Sequence, residues 1–271
     1  MNYLTSIILG VVQGLTEFLP ISSSGHLVIF HDILNWQTTD NLAFDVFLHW
    51  GTLVALVIYF YKDIIRYLTA FLKSLRHWNL RSDLDQKISW LILISMIPAV
   101  LAGLFLNDII DQLFRNIISV AIFLIIVGLI FLAVEKYCLK NKDLTSMTWG
   151  KSLILGVAQA LALMPGISRS GATISAGLAM NLNREEAARF SFLMSIPIVF
   201  AAGLKRAWDL RHMTMSLQEI LIYFGGFLAA AVIGYLAIKF LLNYLKNHTL
   251  NIFAYYRIIL GIAVLIYSLV I

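Results

Sequence analysis

The chain has 271 residues, of which 60% are hydrophobic and 13% charged; an ordinary globular domain is about 25% charged, and the mean hydropathy here is +0.85. So little polar surface cannot coat a water-facing particle, which excludes the soluble classes and makes lipid the solvent. The net charge of +5, from 20 Lys and Arg against 15 Asp and Glu, does not signal nucleic acid, because a membrane protein carries its basic excess in cytoplasmic loops.

The start, Met1-Asn2-Tyr3, has no basic stretch, and Glu17 interrupts the apolar run behind it, which does not fit a cleaved signal peptide. That first segment, 4–30, is apolar, breaks at Pro20 among serines and a glycine, and turns apolar again. Each half is too short for a hydrocarbon core about 30 Å thick, which takes about 20 helical residues to cross. Broken backbone is tolerated in lipid only where protein or a wet cavity satisfies it, so 4–30 is predicted to be a re-entrant helical hairpin. Apolar stretches long enough to cross follow at about 42–61, 88–106 and 117–134. A second broken segment, 152–180, turns at Pro165, and three more crossings are predicted at about 190–204, 217–238 and 252–271. The expected fold is an all-α polytopic membrane protein: one integral domain of six transmembrane helices and two re-entrant helical hairpins.

Lys62, Arg66, Lys73, Arg76, Arg81 and Lys87 share one loop, and Lys136, Lys140, Lys142 and Lys151 another; both are predicted to be cytoplasmic. The loop at 107–116, with Asp108 and Asp111 against Arg115, belongs outside. Counting forward also puts Lys205, Arg206 and Arg211 outside, against the rule. The lone cysteine, Cys138, excludes an internal disulfide and any multi-thiolate metal site.

The two broken segments are copies of each other. With a shift of 146 positions, Ser6, Ile8, Leu9, Gly10, Val11, Gln13, Leu15, Ile21, Ser22, Ser24 and Gly25 each fall on an identical residue, from Ser152 to Gly171. Three crossings between the copies reverse one relative to the other, so 1–134 and 152–271 are predicted to form an inverted repeat. In such folds the broken helices build the functional site near the midplane, which places the site where 13–26 meets 159–173.

Gln13 and Glu17, four apart, stack on one helical face. An intramembrane carboxylate is expensive and marks a functional candidate; the plainer alternatives are an interfacial position or an interhelical ion pair. Pro20-Ile21-Ser22-Ser23-Ser24-Gly25-His26 reads as a helix stop, caps for the next helix, and a first turn carrying an imidazole. Free amides at that helix start make an anion site within reach of His26; the plainer alternative for His26 is a histidine hydrogen-bonded to a neighbouring helix with no chemical role. Pro165-Gly166-Ile167-Ser168-Arg169-Ser170-Gly171-Ala172-Thr173 repeats the design with a guanidinium in place of Ser23. Arg169 suits phosphate oxygens or a structural pair with Glu17, and Ser168, Ser170 and Thr173 serve as donors or caps. Asp45 and His49 are assigned to the interface and to structure, and Arg184 to Arg189 to a solvated cytoplasmic helix. One carboxylate, one imidazole, one guanidinium and two serine-rich helix starts fit a phosphate ester or anhydride. Mg²⁺ or Ca²⁺ held by Glu17 and the substrate's own phosphates is compatible with so few acids.

Gln13-Gly14-Leu15-Thr16-Glu17-Phe18-Leu19-Pro20-Ile21-Ser22-Ser23-Ser24-Gly25-His26 resembles the acidic motif of the bacterial undecaprenyl pyrophosphate phosphatases, the bacitracin-resistance family, and residues 165–173 resemble its arginine motif. Length, span pattern and Arg189-Phe190-Ser191-Phe192 extend the resemblance over essentially the whole chain. The family has Glu or Gln four residues before its invariant Glu; Gln13 stands here, so Glu17 is the only motif carboxylate. The resemblance implies hydrolysis of undecaprenyl diphosphate, a polyprenyl diphosphate lipid, at the outer face of the plasma membrane, recycling the carrier for peptidoglycan and conferring bacitracin resistance. It implies Glu17 as metal holder or base, with Gln13 in support, and Arg169 as phosphate clamp. Ser22, Ser23, Ser24, Ser168, Ser170 and Thr173 would be oxygen ligands, and His26 nucleophile or general acid/base. Histidine, serine and water stay open as the attacker, and membrane lipids and a homodimer stay open as partners. The rival class is a secondary transporter or flippase for a lipid phosphate or other anion, because inverted repeats with paired hairpins are typical of transporters.

Overall fold

The computed structural model describes residues 2–33, 41–209, 211 and 216–270. Among them are twelve α-helices: α1 Tyr3–Phe18, α2 Ser23–Ile33, α3 Asn41–Tyr59, α4 Tyr61–Ser74, α5 Leu84–Phe105, α6 Asn107–Phe114, α7 Ile117–Tyr137, α8 Trp149–Leu161, α9 Arg169–Ala179, α10 Arg184–Asp209, α11 Leu217–Leu245 and α12 Asn251–Val270. Short polar side chains start many of them. Asn2, Asp83, Asn116, Thr148 and Ser168 each accept an amide of the turn that follows, and Ser216 with Glu219 forms a capping box before α11.

Among the described residues five helices are long and apolar enough to cross a membrane: α5, α7, α10, α11 and α12. The pair α3 and α4 counts as a sixth if taken as one span bent by 77°. The protein is an all-helical polytopic membrane protein. The helices of the two broken segments, α1 with α2 and α8 with α9, are 16, 11, 13 and 11 residues long, short of a crossing.

Three expectations need correction. The basic stretch after residue 61 is not all loop, because α4 is an amphipathic helix. Its Tyr67, Ala70 and Ser74 are buried while Ile65, Leu68 and Leu72 are exposed, a lipid-facing stripe suited to lying in the interface. Arg184 to Arg189 is no separate solvated helix but the start of α10. Arg184 there pairs with Glu135 at 2.6 Å and Arg189 with Asp63 at 2.7 Å, tying that end of α10 to α7 and α4. The acidic stretch at 107–116 contains the short helix α6.

Packing contacts come in matched pairs. α1 runs parallel to α11, with Ser6 Oγ donating to the Ile222 carbonyl, and α8 runs parallel to α5, with Ser152 Oγ donating to the Leu91 carbonyl. One turn on, a Cβ at Gly10 would stand 2.3 Å from the Gly226 oxygen, and one at Gly156 2.5 Å from the Ser95 oxygen. Only glycine permits backbones this close. In the antiparallel pair α7 and α12, Gly128 meets the Ala254 carbonyl and Gly261 meets that of Ala121; these partners are related by one offset of 133 (261 less 128, 254 less 121). A buried aromatic cluster holding Phe18, Phe60, Phe131, Phe190 and Phe192 underlies both breaks, with Phe18 edge-on to Phe192 at 5.6 Å.

Gly10→Val therefore overpacks a backbone contact and should cost about 1–3 kcal/mol, seen as a lowered melting midpoint of the purified protein in detergent. Gly103→Ala, with nothing within 4 Å of its Cβ, should leave that midpoint level or slightly raised.

Candidate active site

The two breaks are built alike. Ser22 and Ser168 adopt left-handed backbone, with φ of 77° and 72°, a conformation costing a non-glycine residue about 1–2 kcal/mol. Each hydroxyl oxygen then accepts the amide three residues on, Gly25 at 3.3 Å and Gly171 at 3.1 Å. Each also lies near the next hydroxyl but one, Ser24 at 3.4 Å and Ser170 at 3.2 Å. Ser23 and Arg169 thus occupy the same place, the first position of α2 and of α9. Backbone amides at such a position have no partner within their helix.

Glu17 is the hub. Arg169 NH2 donates to Glu17 Oε1 at 2.6 Å; Ser23 Oγ donates to Oε2 at 2.6 Å and Gln13 Nε2 to the same oxygen at 3.0 Å. Both side chains of the ion pair are largely buried, with 8% of Glu17 and 16% of Arg169 exposed, so the attraction acts in low dielectric and offsets the desolvation of two charges. Two polar atoms are left over. Arg169 NH1 and Gln13 Oε1 are buried with no partner among the described residues. Gln159, at Gln13's place in the other hairpin, is also buried with neither amide atom partnered among them.

The other predicted residues are placed differently. Ser170 Oγ reaches back to the carbonyls of Glu17 at 3.4 Å and Leu19 at 3.5 Å. The Thr173 hydroxyl lies between the Arg169 carbonyl at 2.7 Å and Ser191 at 2.6 Å, fastening α9 to α10. Among the described residues His26 makes its hydrogen bonds away from Glu17 and Arg169. Its Nδ1 donates to the Ser22 carbonyl at 2.7 Å, so Nε2 accepts from the Tyr256 hydroxyl at 2.7 Å, and the two rings stack.

Three participants escaped the sequence. His49, assigned there to structure, stands with Nε2 3.9 Å from Glu17 Oε2 while its Nδ1 bonds the Asp45 carbonyl at 2.7 Å; with 40% of its side chain exposed, it is the open edge of the cluster. Tyr256 holds His26. Arg257 is fully buried and donates to the carbonyls of Pro20 at 3.1 Å, Gly166 at 2.7 Å and Ile167 at 3.0 Å. A charged residue inside an apolar run was the available signal for Arg257; for His49, its spacing four residues from Asp45.

No group of three or more His, Cys, Asp or Glu that could hold a metal occurs among the described residues. What the site offers a hard cation is the Glu17 carboxylate and the unpartnered Gln13 Oε1. What it offers an anion is the free Arg169 NH1 and the amides that open α2 and α9.

A family model described as bacitracin resistance protein BacA matches residues 6–263. The chain is 44% identical over 262 residues to an undecaprenyl-diphosphatase of Rubrobacter xylanophilus, covering 96% of each chain. It is 42% identical to one of Methanosphaera stadtmanae, covering 100% of this chain and 99% of that one, and 41% identical to one of Chlorobaculum tepidum, covering 98% and 97%.

The ion pair yields a stability prediction. Glu17→Gln or Arg169→Gln alone leaves a buried charge unpaired and should cost about 3 kcal/mol or more. The double variant should lose less than the sum of the two, as measured by thermal unfolding in detergent.

Proposed function

The chain belongs to the bacitracin resistance protein BacA family, and from that premise we propose how it works as an undecaprenyl-diphosphatase. It hydrolyses undecaprenyl diphosphate to undecaprenyl phosphate and inorganic phosphate. This recycles the carrier for peptidoglycan synthesis and removes the diphosphate that bacitracin sequesters. The observation that carries the mechanism is a guanidinium with one arm on Glu17 and the other free, beside a serine hydroxyl bonded to the same carboxylate.

Ser23 is the nucleophile. Its Oγ attacks the terminal phosphorus and its proton passes along the 2.6 Å bond to Glu17 Oε2. The bond to the bridging oxygen breaks, and undecaprenyl phosphate leaves with that oxygen. Arg169 NH1 and the amides opening α2 and α9 hold the non-bridging oxygens as charge builds on them. Once Glu17 has lost that proton, it deprotonates a water that attacks the phosphoserine phosphorus; the bond from phosphorus to Oγ breaks, the proton passes from Glu17 back to Ser23 Oγ, and phosphate is released. His49 Nε2 is the group through which Glu17 sheds its proton to solvent. Serine is preferred to His26 as attacker because both ring nitrogens of His26 are engaged in bonds.

A divalent cation, Mg²⁺ or Ca²⁺, fits the Glu17 carboxylate and Gln13 Oε1 as an ion brought in with the diphosphate; when bound it would neutralise phosphate charge. The architecture that supports this chemistry is two inverted repeats, 1–134 and 152–271, with six crossings and two re-entrant hairpins. The matched contacts of α1 on α11 and α8 on α5, and the 133-residue offset between α7 and α12, support it. With the basic loops cytoplasmic, substrate enters from the opposite side. A cavity of about 380 Å³ lined by Ala99, Gly103, Leu104, Asp108, Leu163 and Lys205, beside the second break, supports that entry.

Phosphate release from a short-chain prenyl diphosphate in detergent tests the scheme; a pure carrier would release none. Ser23→Ala, Glu17→Gln and Arg169→Ala should each lower kcat by about 10²-fold or more. An acid-quenched phosphoenzyme should carry its label on Ser23, and a label on His26 would overturn the serine assignment. Gln13→Glu adds a second carboxylate and should lower the Mg²⁺ or Ca²⁺ concentration giving half-maximal activity, read by titration against a chelator.

A further inference from the structure

A buried guanidinium without a carboxylate needs an explanation. Arg257 is 0% exposed, sits in the span α12, and among the described residues no acid bonds to it. Its charge is met entirely by backbone oxygens. Besides Pro20, Gly166 and Ile167, the carbonyls of Phe123 at 3.4 Å and Leu124 at 3.3 Å receive it, and the Phe131 ring lies 5.6 Å from its guanidinium carbon. One side chain therefore joins both breaks, α7 and α12.

Where it bonds is informative. NH1 takes Pro20 and NH2 takes Gly166, and these two residues are counterparts under the 146-residue shift that relates the hairpins. Each lies three residues before a working side chain, Ser23 in one hairpin and Arg169 in the other. Under the 133-residue offset of α7 and α12, the counterpart of Arg257 is Leu124 (257 less 133), whose carbonyl Arg257 itself contacts. The guanidinium thus lies where the two halves meet, and the planar fork spans the gap between two equivalent carbonyls, which a lysine's point charge cannot do. Neither carbonyl lies within a helix, and in lipid neither would find water. The neighbouring Tyr256 holds the same first hairpin through His26.

We propose that Arg257 is a positioning residue for the phosphatase reaction: by holding the Pro20 and Gly166 carbonyls in one fork it sets the distance between Ser23 and Arg169. This rests on the assignment of Glu17, Ser23 and Arg169 as the reaction centre. Displacement of reacting groups by about 1 Å can cost about 10²-fold in rate, so the role is visible in kcat.

The test uses full-length protein in detergent in a Cys138→Ser background, with spin labels on cysteines introduced at Leu15 and Leu161. These are equivalent, exposed positions, one in each hairpin. Arg257→Met should broaden or shift the interlabel distance, and Arg257→Lys should do so less. Both should lower kcat, by about tenfold or more, with KM for the prenyl diphosphate changed less than about threefold. Added guanidinium ion should partly restore kcat to Arg257→Ala and not to Arg169→Ala. An unchanged distance in Arg257→Met together with parental kcat would overturn the proposal, as would an Arg257→Ala variant that keeps full kcat. If Arg257→Met folds too poorly to label, the guanidinium rescue decides: no gain in kcat for Arg257→Ala counts against the positioning role. The distance also separates this proposal from the reaction scheme. Ser23→Ala, which removes a bond within the first segment only, should lower kcat by about 10²-fold or more while leaving the labels where they were; retained turnover there would count against the scheme and leave the distance result standing.

Discussion

A helix that stops inside the packed interior of a protein leaves amides and carbonyls that must find partners there, and this one constraint organises the centre of the molecule. Both breaks answer it in the same currency of short side chains and one long one. Ser22 and Ser168 turn into left-handed backbone so that their hydroxyls can take the amides of Gly25 and Gly171. Ser170 returns to the carbonyls of the other hairpin, and Arg257 takes the turn carbonyls of both. Among the described residues, Arg169 NH1 beside a paired carboxylate is one of the polar atoms left without a partner, with Gln13 Oε1 and the Gln159 amide. In the proposed scheme that free guanidinium arm is the anion receptor.

The asymmetry of the proposed site grows from two broken segments of similar sequence. Ser23 and Arg169, equivalent positions of the two similar broken segments, are brought to one carboxylate, and identical charges there would repel in low dielectric. Ser23 and Arg169 occupy the same first-turn position, and the chain has put a hydroxyl in one and a guanidinium in the other. Glu17 has an apolar counterpart, Leu163, under the same shift. One acid and one base therefore share a site that two identical copies could not have formed. The glycines of α1 and α8, set against the backbones of α11 and α5, hold both short helices close to the long helices beside this encounter.

At the basic end the ties are ionic. Glu135 accepts Arg184 and also the Leu250 amide near the start of α12 at 2.9 Å, and Asp63 accepts Arg189. The sequence showed these charges but not their partners, since Glu135 and Arg184 are 49 residues apart and nothing local distinguishes a paired arginine from a solvated one. The amphipathic α4 escaped for a related reason. A search for long apolar runs does not register a helix that is apolar on one face only.

The amino-acid order alone determined the solvent, the two broken segments and their kinship, and the candidate acid, base and serine residues. Each of those rests on composition or on short-range pattern, where hydrophobic length, proline and identity at a fixed shift are read directly. Only the tertiary structure decided which of the serines faces Glu17, that His26 is held by Tyr256, that His49 stands at the edge of the cluster, and that Arg257 bridges the two turns. These depend on how turns and helix faces are set against each other, in two cases across more than 200 residues of chain: His26 and Tyr256 are 230 apart, Arg257 and Pro20 237. That geometry is set by packing and by the search of buried polar groups for partners, neither of which leaves a local mark in the sequence.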